Sequence, residues 1–224
     1  MTTTYASASD INNRMISVYN NMFLAIVNSL IVSLLVSSSP GLMAFLFGTW
    51  VKWIVIFAPL VVILAMGFVI NRATKTEAQF FLHGFAALMG LSLSTIFVVY
   101  TTASIVSAFM GAAVLFGTMS LWGYFTKKSL ESWGSFLLVG LIAVVIASII
   151  NVFIGSSALA MTVSAVAIVV FLGLTAYDTQ NIRNAVSVSD AETDKTVIVG
   201  ALSLYMNFIN LFVSLLQLFG GRRD

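Results

Sequence analysis

The chain has 224 residues, of which 60% are hydrophobic and only 8% charged, and its formal charge is +2. A soluble domain carries about 25% charged residues, so this surface and a mean hydropathy of +1.06 require lipid as the solvent. Cysteine is absent, which excludes disulfide scaffolds, thiolate metal sites and cysteine nucleophiles.

The N-terminal tail, "MTTTYASASDINNRM", is polar and lacks the basic start and short apolar core of a cleavable leader. The first hydrophobic segment is therefore expected to act as its own targeting signal. A crossing helix needs about 20 apolar residues at about 1.5 Å rise each. Seven segments qualify, at about 15–36, 50–71, 79–100, 103–126, 133–153, 159–182 and 197–219. The expectation is an all-α integral membrane protein: one transmembrane domain over 1–224, with a short polar tail of about 1–14.

Between the spans, "SSSPG" (37–41) reads as a turn, and Pro59 is placed to kink the second span. The connectors "NRATKTE" (71–77), "TKKSLES" (126–132) and "RNAVSVSDAETDK" (183–195) are charged. Those at 37–49, 100–102 and 154–158 hold no Lys or Arg, although Lys52 sits just inside the second span. By the positive-inside rule, the N-terminus and the charged connectors are expected to be cytoplasmic. Seven full crossings place Arg222 and Arg223 on the opposite side, against the rule, but 197–219 is long enough to cross.

Two charged candidates lie at or inside apolar segments on the expected cytoplasmic side: Arg72 at the end of the second span, and Asp178 in "FLGLTAYDTQNIRN", about one turn inside the sixth. A charge at the bilayer centre costs about 2.5–3.5 kcal/mol, and less towards the interface. Asp178 is either a helix-end carboxylate reaching interfacial water or a buried acid that pairs with Arg72 and gates a polar path.

In the last span Ser203, Asn207, Asn210, Ser214 and Gln217 follow one another at spacings of 4, 3, 4 and 3, which places them on one helix face. Two readings stay open. The stripe is inter-helix glue, at about 0.6 kcal/mol per contact, or it lines a hydrated route through a bundle with this helix at its centre. Gly84, Ala87, Gly90 and Ser94 in the third span, and Gly117, Ser120 and Gly123 in the fourth, suit close helix packing. His83, the single histidine, reads as structural, and Trp50, Trp53, Trp122 and Trp133 fall at aromatic-belt positions.

Enzyme signatures are missing. Asp178 has no second acid inside a span with which to form an aspartyl pair. No nucleophile elbow, HExxH, P-loop or dinucleotide pattern occurs. No enzymatic activity, resident cofactor, metal site or nucleic-acid partner is expected.

"GLTAYDTQNIRN" (173–184), followed by "GALSLYMNFINLFVSLLQLFG" (200–220), resembles the Bax inhibitor-1 family, also called the transmembrane Bax inhibitor motif family. "GLSLSTIFVVYTTASI" (90–105) and "GTMSLWGYFTKKSL" (117–130) look like its bacterial members. The resemblance implies a seven-helix bundle with the last helix surrounded by the other six, and a pH-sensitive calcium leak. It also implies two proton-sharing aspartates and an arginine that pairs with them in the closed state. Asp178 matches the first aspartate and Arg72 the arginine. At the second aspartate the family's usual "LYLDFINLF" reads "LYMNFINLF" here, which puts Asn207 in its place. An Asn can hold Asp178 by a hydrogen bond at any pH but cannot ionise. The expected function is a calcium or cation leak pathway in a bacterial inner membrane. The alternative is a membrane interaction protein that restrains another membrane protein, such as a quality-control protease.

Overall fold

The computed structural model describes residues 6–69, 73–188 and 193–223. Its helices are α1 (Ala8–Ser37), α2 (Pro40–Gly48), α3 (Val51–Val69), α4 (Lys75–Leu93), α5 (Ile96–Val99), α6 (Thr102–Phe125), α7 (Glu131–Ile154), α8 (Ser157–Ala185) and α9 (Thr193–Phe219). Six are long and apolar enough to cross a membrane, with α5 continuing α4; α2 and α3 make a seventh if that bent pair is one span.

The helix starts follow from local chemistry. Ser7 accepts from the Asp10 backbone N–H while the Asp10 carboxylate accepts from that of Ser7, so α1 begins well before its apolar run. Thr74 and Glu77 form the same reciprocal cap at α4. At the far end of α7, Gly155 takes a left-handed φ of 68° that closes the helix.

One expectation is corrected near the second span. The segment after "SSSPG" is helical, because Pro40 opens α2 and Ser39 caps it. A bend of 79° between α2 and α3 falls at the Thr49–Trp50 break. Helix α3 runs through Pro59. A proline frees the carbonyl four residues earlier, here that of Val55. Ser92 Oγ of α4 donates to this carbonyl at 2.7 Å and replaces the lost partner.

The last helix is central. In its most apolar stretch 67% of residues are buried, against 39% or less in the other five long single-helix spans. Its main contacts are with α1, α4, α6 and α8, while α3 packs on α4 and α7 on α8 at the periphery. Small residues set two of these approaches. A Cβ on Gly90 would lie 2.7 Å from the Ser29 carbonyl oxygen, and one on Gly123 would meet the backbone of Ala176. These glycines bring α4 onto α1 and α6 onto α8 at backbone contact. Gly84 and Gly117 have open space beside them instead and take no part in a close approach.

The connectors sort into two ends. At one, Arg14 donates to the Val186 and Val188 carbonyls at 2.6 and 3.3 Å, and Lys75 meets Asp194 at 2.9 Å. Gln180 receives the Leu130 N–H and donates to the Lys128 carbonyl there, and Arg183 reaches the Tyr124 carbonyl. At the other end the tail beyond α9 folds onto the α5–α6 junction. Thr101 N–H donates to the Gly221 carbonyl at 3.1 Å and Arg223 N–H to that of Val99 at 2.9 Å. The last helix therefore runs the full length of the bundle, and Arg222 and Arg223 sit at the end opposite the charged connectors. The tryptophans divide in the same way: Trp122 packs on Trp133 at the charged end, and Trp53 stacks on Phe153 at the other.

Candidate functional site

Helices α8 and α9 are joined by the 186–192 connector and run antiparallel. Stepping back 14 residues along α8, from Asp178 to Ser164, is matched by 14 residues forward along α9, from Ser203 to Gln217, and both pairs are hydrogen-bonded. The two helices thus stay in register for about four turns. Near the start of this seam Gly200 lets them close, since a Cβ there would lie 2.9 Å from Ile182.

Asp178 sits seven residues before the end of α8 at Ala185, about 10 Å inside the helix. One of its oxygens, Oδ2, accepts from Ser203 Oγ at 2.6 Å and from Asn207 Nδ2 at 2.8 Å. Ser203 and Asn207 are four residues apart, so they present both donors from one face. Asn207 is buried, at 4% exposure, while Asp178 and Ser203 are half-buried. The site is a carboxylate inside a candidate span, held by two neutral donors on the most buried helix.

The rest of the stripe divides. Gln217 accepts from Ser164 Oγ at 2.8 Å, Asn210 donates back to the Met206 carbonyl of its own helix, and Ser214 is buried. Arg72 lies outside the described residues, and so does its pairing with Asp178. His83 is half-buried, and its backbone carbonyl accepts from Asn28.

The family model described as "Inhibitor of apoptosis-promoting Bax1" matches residues 11–224. This chain belongs to the Bax inhibitor family. It is 39% identical over 214 residues to the inner membrane protein YbhL of Escherichia coli K12, covering 93% of this chain and 92% of that relative. A Rickettsia prowazekii protein is 39% identical over 212 residues, covering 94% and 90%. One from Caulobacter vibrioides is 36% identical over 222 residues, covering 94% and 89%.

In this Bax inhibitor bundle, two polar clusters escaped the sequence reading. Tyr205 is fully buried, and its hydroxyl meets Ser29 Oγ at 2.7 Å, while Ser29 also donates to the Ala86 carbonyl. This ties α9 to α1 and α4 on a different side from the Asp178 contacts. Beside the site, Ser120 links Tyr19, at 2.6 Å, to Thr179, at 3.0 Å. Thr175, Thr179 and Asp178 on adjoining turns of α8 were a legible signal; Thr175 and Thr179 donate back to carbonyls of their own helix, and the partners across the bundle, Ser120 for Thr179 and Ser203 and Asn207 for Asp178, lie on other helices.

Proposed function

We propose that this chain is a pH-sensitive cation leak pathway of a bacterial inner membrane, with calcium as the permeant ion and Asp178 as the gating acid. The observation that supports it most is the contact of Asp178 with Ser203 and Asn207. An acid inside a span is expensive and marks ion or proton paths. A carboxylate also accepts stronger hydrogen bonds than a neutral group, by roughly a factor of two. Ionised Asp178 thus holds α8 against the central helix. Protonation weakens both contacts and loosens the seam, so leak rises as pH falls. The polar stripe beyond it, Ser203, Asn210, Ser214 and Gln217, supplies the wall that a loosened seam exposes to water, and the carboxylate favours cations at its mouth. Arg72 is the candidate cation that steadies Asp178 in the closed state.

The N-terminus is assigned to the cytoplasm, because the tail and the three charged connectors share one end of the bundle. Placement in an inner membrane rests on the E. coli relative, which carries that description.

The test is calcium flux into liposomes that hold the purified chain alone, from pH 5 to 8. Flux that rises as pH falls, and that Asp178→Ala raises at pH 8, supports the pathway. A correctly inserted chain with no flux at any pH overturns it.

One observation favours a second reading. Ser164 with Gln217, and Asp178 with Ser203 and Asn207, already use much of the stripe in helix packing. A bundle glued in this way suits a membrane interaction protein that restrains another membrane protein, such as a protease. Absence of flux, together with a membrane protein crosslinked to the chain in cells, supports it.

A further inference from the structure

At the charged end, α1, α4 and α9 enclose a cavity of about 320 Å³ that none of the preceding chemistry uses. Arg14 and Ser17 of α1, Lys75 and Gln79 of α4 and Asp194 of α9 line it, over Val197 and Ile198. The floor is buried and apolar, at 7% and 4% exposure. Arg14 is held in place by the carbonyls of Val186 and Val188. Lys75 stands at the rim, 2.9 Å from Asp194, with both side chains more than half exposed. Among the described residues, Lys75 and Arg14 thus stand with Asp194 around the cavity, beside the Ser17 hydroxyl and the carboxamides of Asn13, Asn21 and Gln79, and Asp10 lies near enough to Arg14 to feel its charge. Next to Ser17 and Gln79 in sequence come Ile16 and Phe80, exposed apolar side chains on helices that span the membrane.

The geometry points to a binding site for the phosphate of an anionic phospholipid headgroup, with Lys75 and Arg14 as its cationic contacts and Asp194 as an internal competitor. The shared chemistry is a phosphate monoanion or diester. A lipid is the source because the cavity lies at the end of helices long and apolar enough to span the membrane, α1 and α4, which also carry the exposed apolar Ile16 and Phe80 on the turns that line it. Such a ligand places its phosphate among the basic groups and its acyl chains against α1 and α4. Basic side chains beside an anionic leaflet attract it through charge as well as hydrogen bonds. The Lys75–Asp194 ion pair is too exposed to contribute much to stability on its own. Its consequence for binding is directional, because Asp194 neutralises the cation that the phosphate needs.

This directionality makes the test. Purified full-length chain is titrated with phosphatidylglycerol, and separately with phosphatidylcholine, and lipid-bound species are counted by native mass spectrometry. Wild type should retain phosphatidylglycerol in preference to phosphatidylcholine. Lys75→Gln should lower that retention about fivefold and Asp194→Asn should raise it by about the same factor, the effect of one charge beside an anionic leaflet. Unfolding temperatures measured in parallel show that both variants are folded. If the pair is only a structural tie, the two substitutions shift retention in the same direction or not at all, which overturns the site. Inorganic phosphate at millimolar concentration should leave the lipid bound; its displacement would overturn the assignment to a lipid.

Discussion

Asn207 donates its side-chain amide to Asp178 Oδ2 at 2.8 Å, across the seam between the central helix and its longest-packed neighbour. The bond lies where the resemblance expects two carboxyl groups to share a proton. Here one partner is an amide, which donates whatever the pH. The contact is therefore switched by the protonation of Asp178 alone.

Restoring the second acid should sharpen the pH response. Asn207→Asp conserves volume and places two carboxyl groups at hydrogen-bond distance. Like charges that close do not both stay ionised cheaply, so the pair holds a shared proton. Calcium flux through wild type and variant is compared in liposomes from pH 5 to 8, with a steeper dependence expected in Asn207→Asp. Superimposable curves from two folded, conducting proteins would remove position 207 from the sensor.

Removing Asp178 should unlock the seam. Asp178→Ala leaves Ser203 and Asn207 without their shared acceptor, and each stranded donor costs about 1–3 kcal/mol when buried. Ser203, half-buried, falls at the lower end of that range, and Asn207, at 4% exposure, higher in it. Flux at pH 8 should rise towards the wild-type level at pH 5, and its pH dependence should flatten. A variant as tight and as pH-sensitive as wild type would return Asp178 to a helix-end carboxylate.

Gln217 separates packing from conduction. Gln217→Leu removes the acceptor of Ser164 Oγ and should lower stability by about 0.6 kcal/mol, the typical value of a contact between membrane helices. Thermal unfolding in detergent reads this loss, and flux reads conduction. Unaltered stability with reduced flux would move Gln217 from the interface to the path.

Ser92 should be needed only while Pro59 is present. Ser92→Ala leaves the Val55 carbonyl without the donor it has at 2.7 Å, a loss of about 1 kcal/mol or more. In a Pro59→Ala background residue 59 regains its N–H and can serve that carbonyl, so the same change should cost less. The coupling is read from a double-mutant cycle of unfolding temperatures. Equal losses in the two backgrounds would show that Ser92 does not compensate for the proline.

Topology is tested with single cysteines in this cysteine-free chain. A membrane-impermeant reagent applied from outside should label a cysteine at Ser156 and spare one at Ser129. Labelling at 129 but not at 156 would invert the orientation.

Hydrophobic length and charge placement were enough to read six of the candidate spans, the charged character of one end and the place of Asp178 near the end of the sixth span, while the bend that divides the second span into α2 and α3 was not legible. These are properties of single segments: a run of apolar residues is read by lipid whatever its neighbours, and an acid within it stands out against them. The spacing of Ser203, Asn207 and Gln217 likewise showed a common face, because helix geometry alone sets it. What that face meets was decided only by the tertiary structure. It took the antiparallel register of α8 on α9 to put Ser203 and Asn207 on one oxygen of Asp178, and Gln217 on Ser164. The same holds for Pro59, legible as a helix proline, whose freed Val55 carbonyl is served by Ser92 from 33 positions further along the chain. It holds too for Tyr205, an unremarked tyrosine in sequence whose hydroxyl meets Ser29 of α1. Hydrogen bonds between helices depend on which faces pack and at what register, and those are settled by side-chain fit across the whole bundle rather than by any one segment.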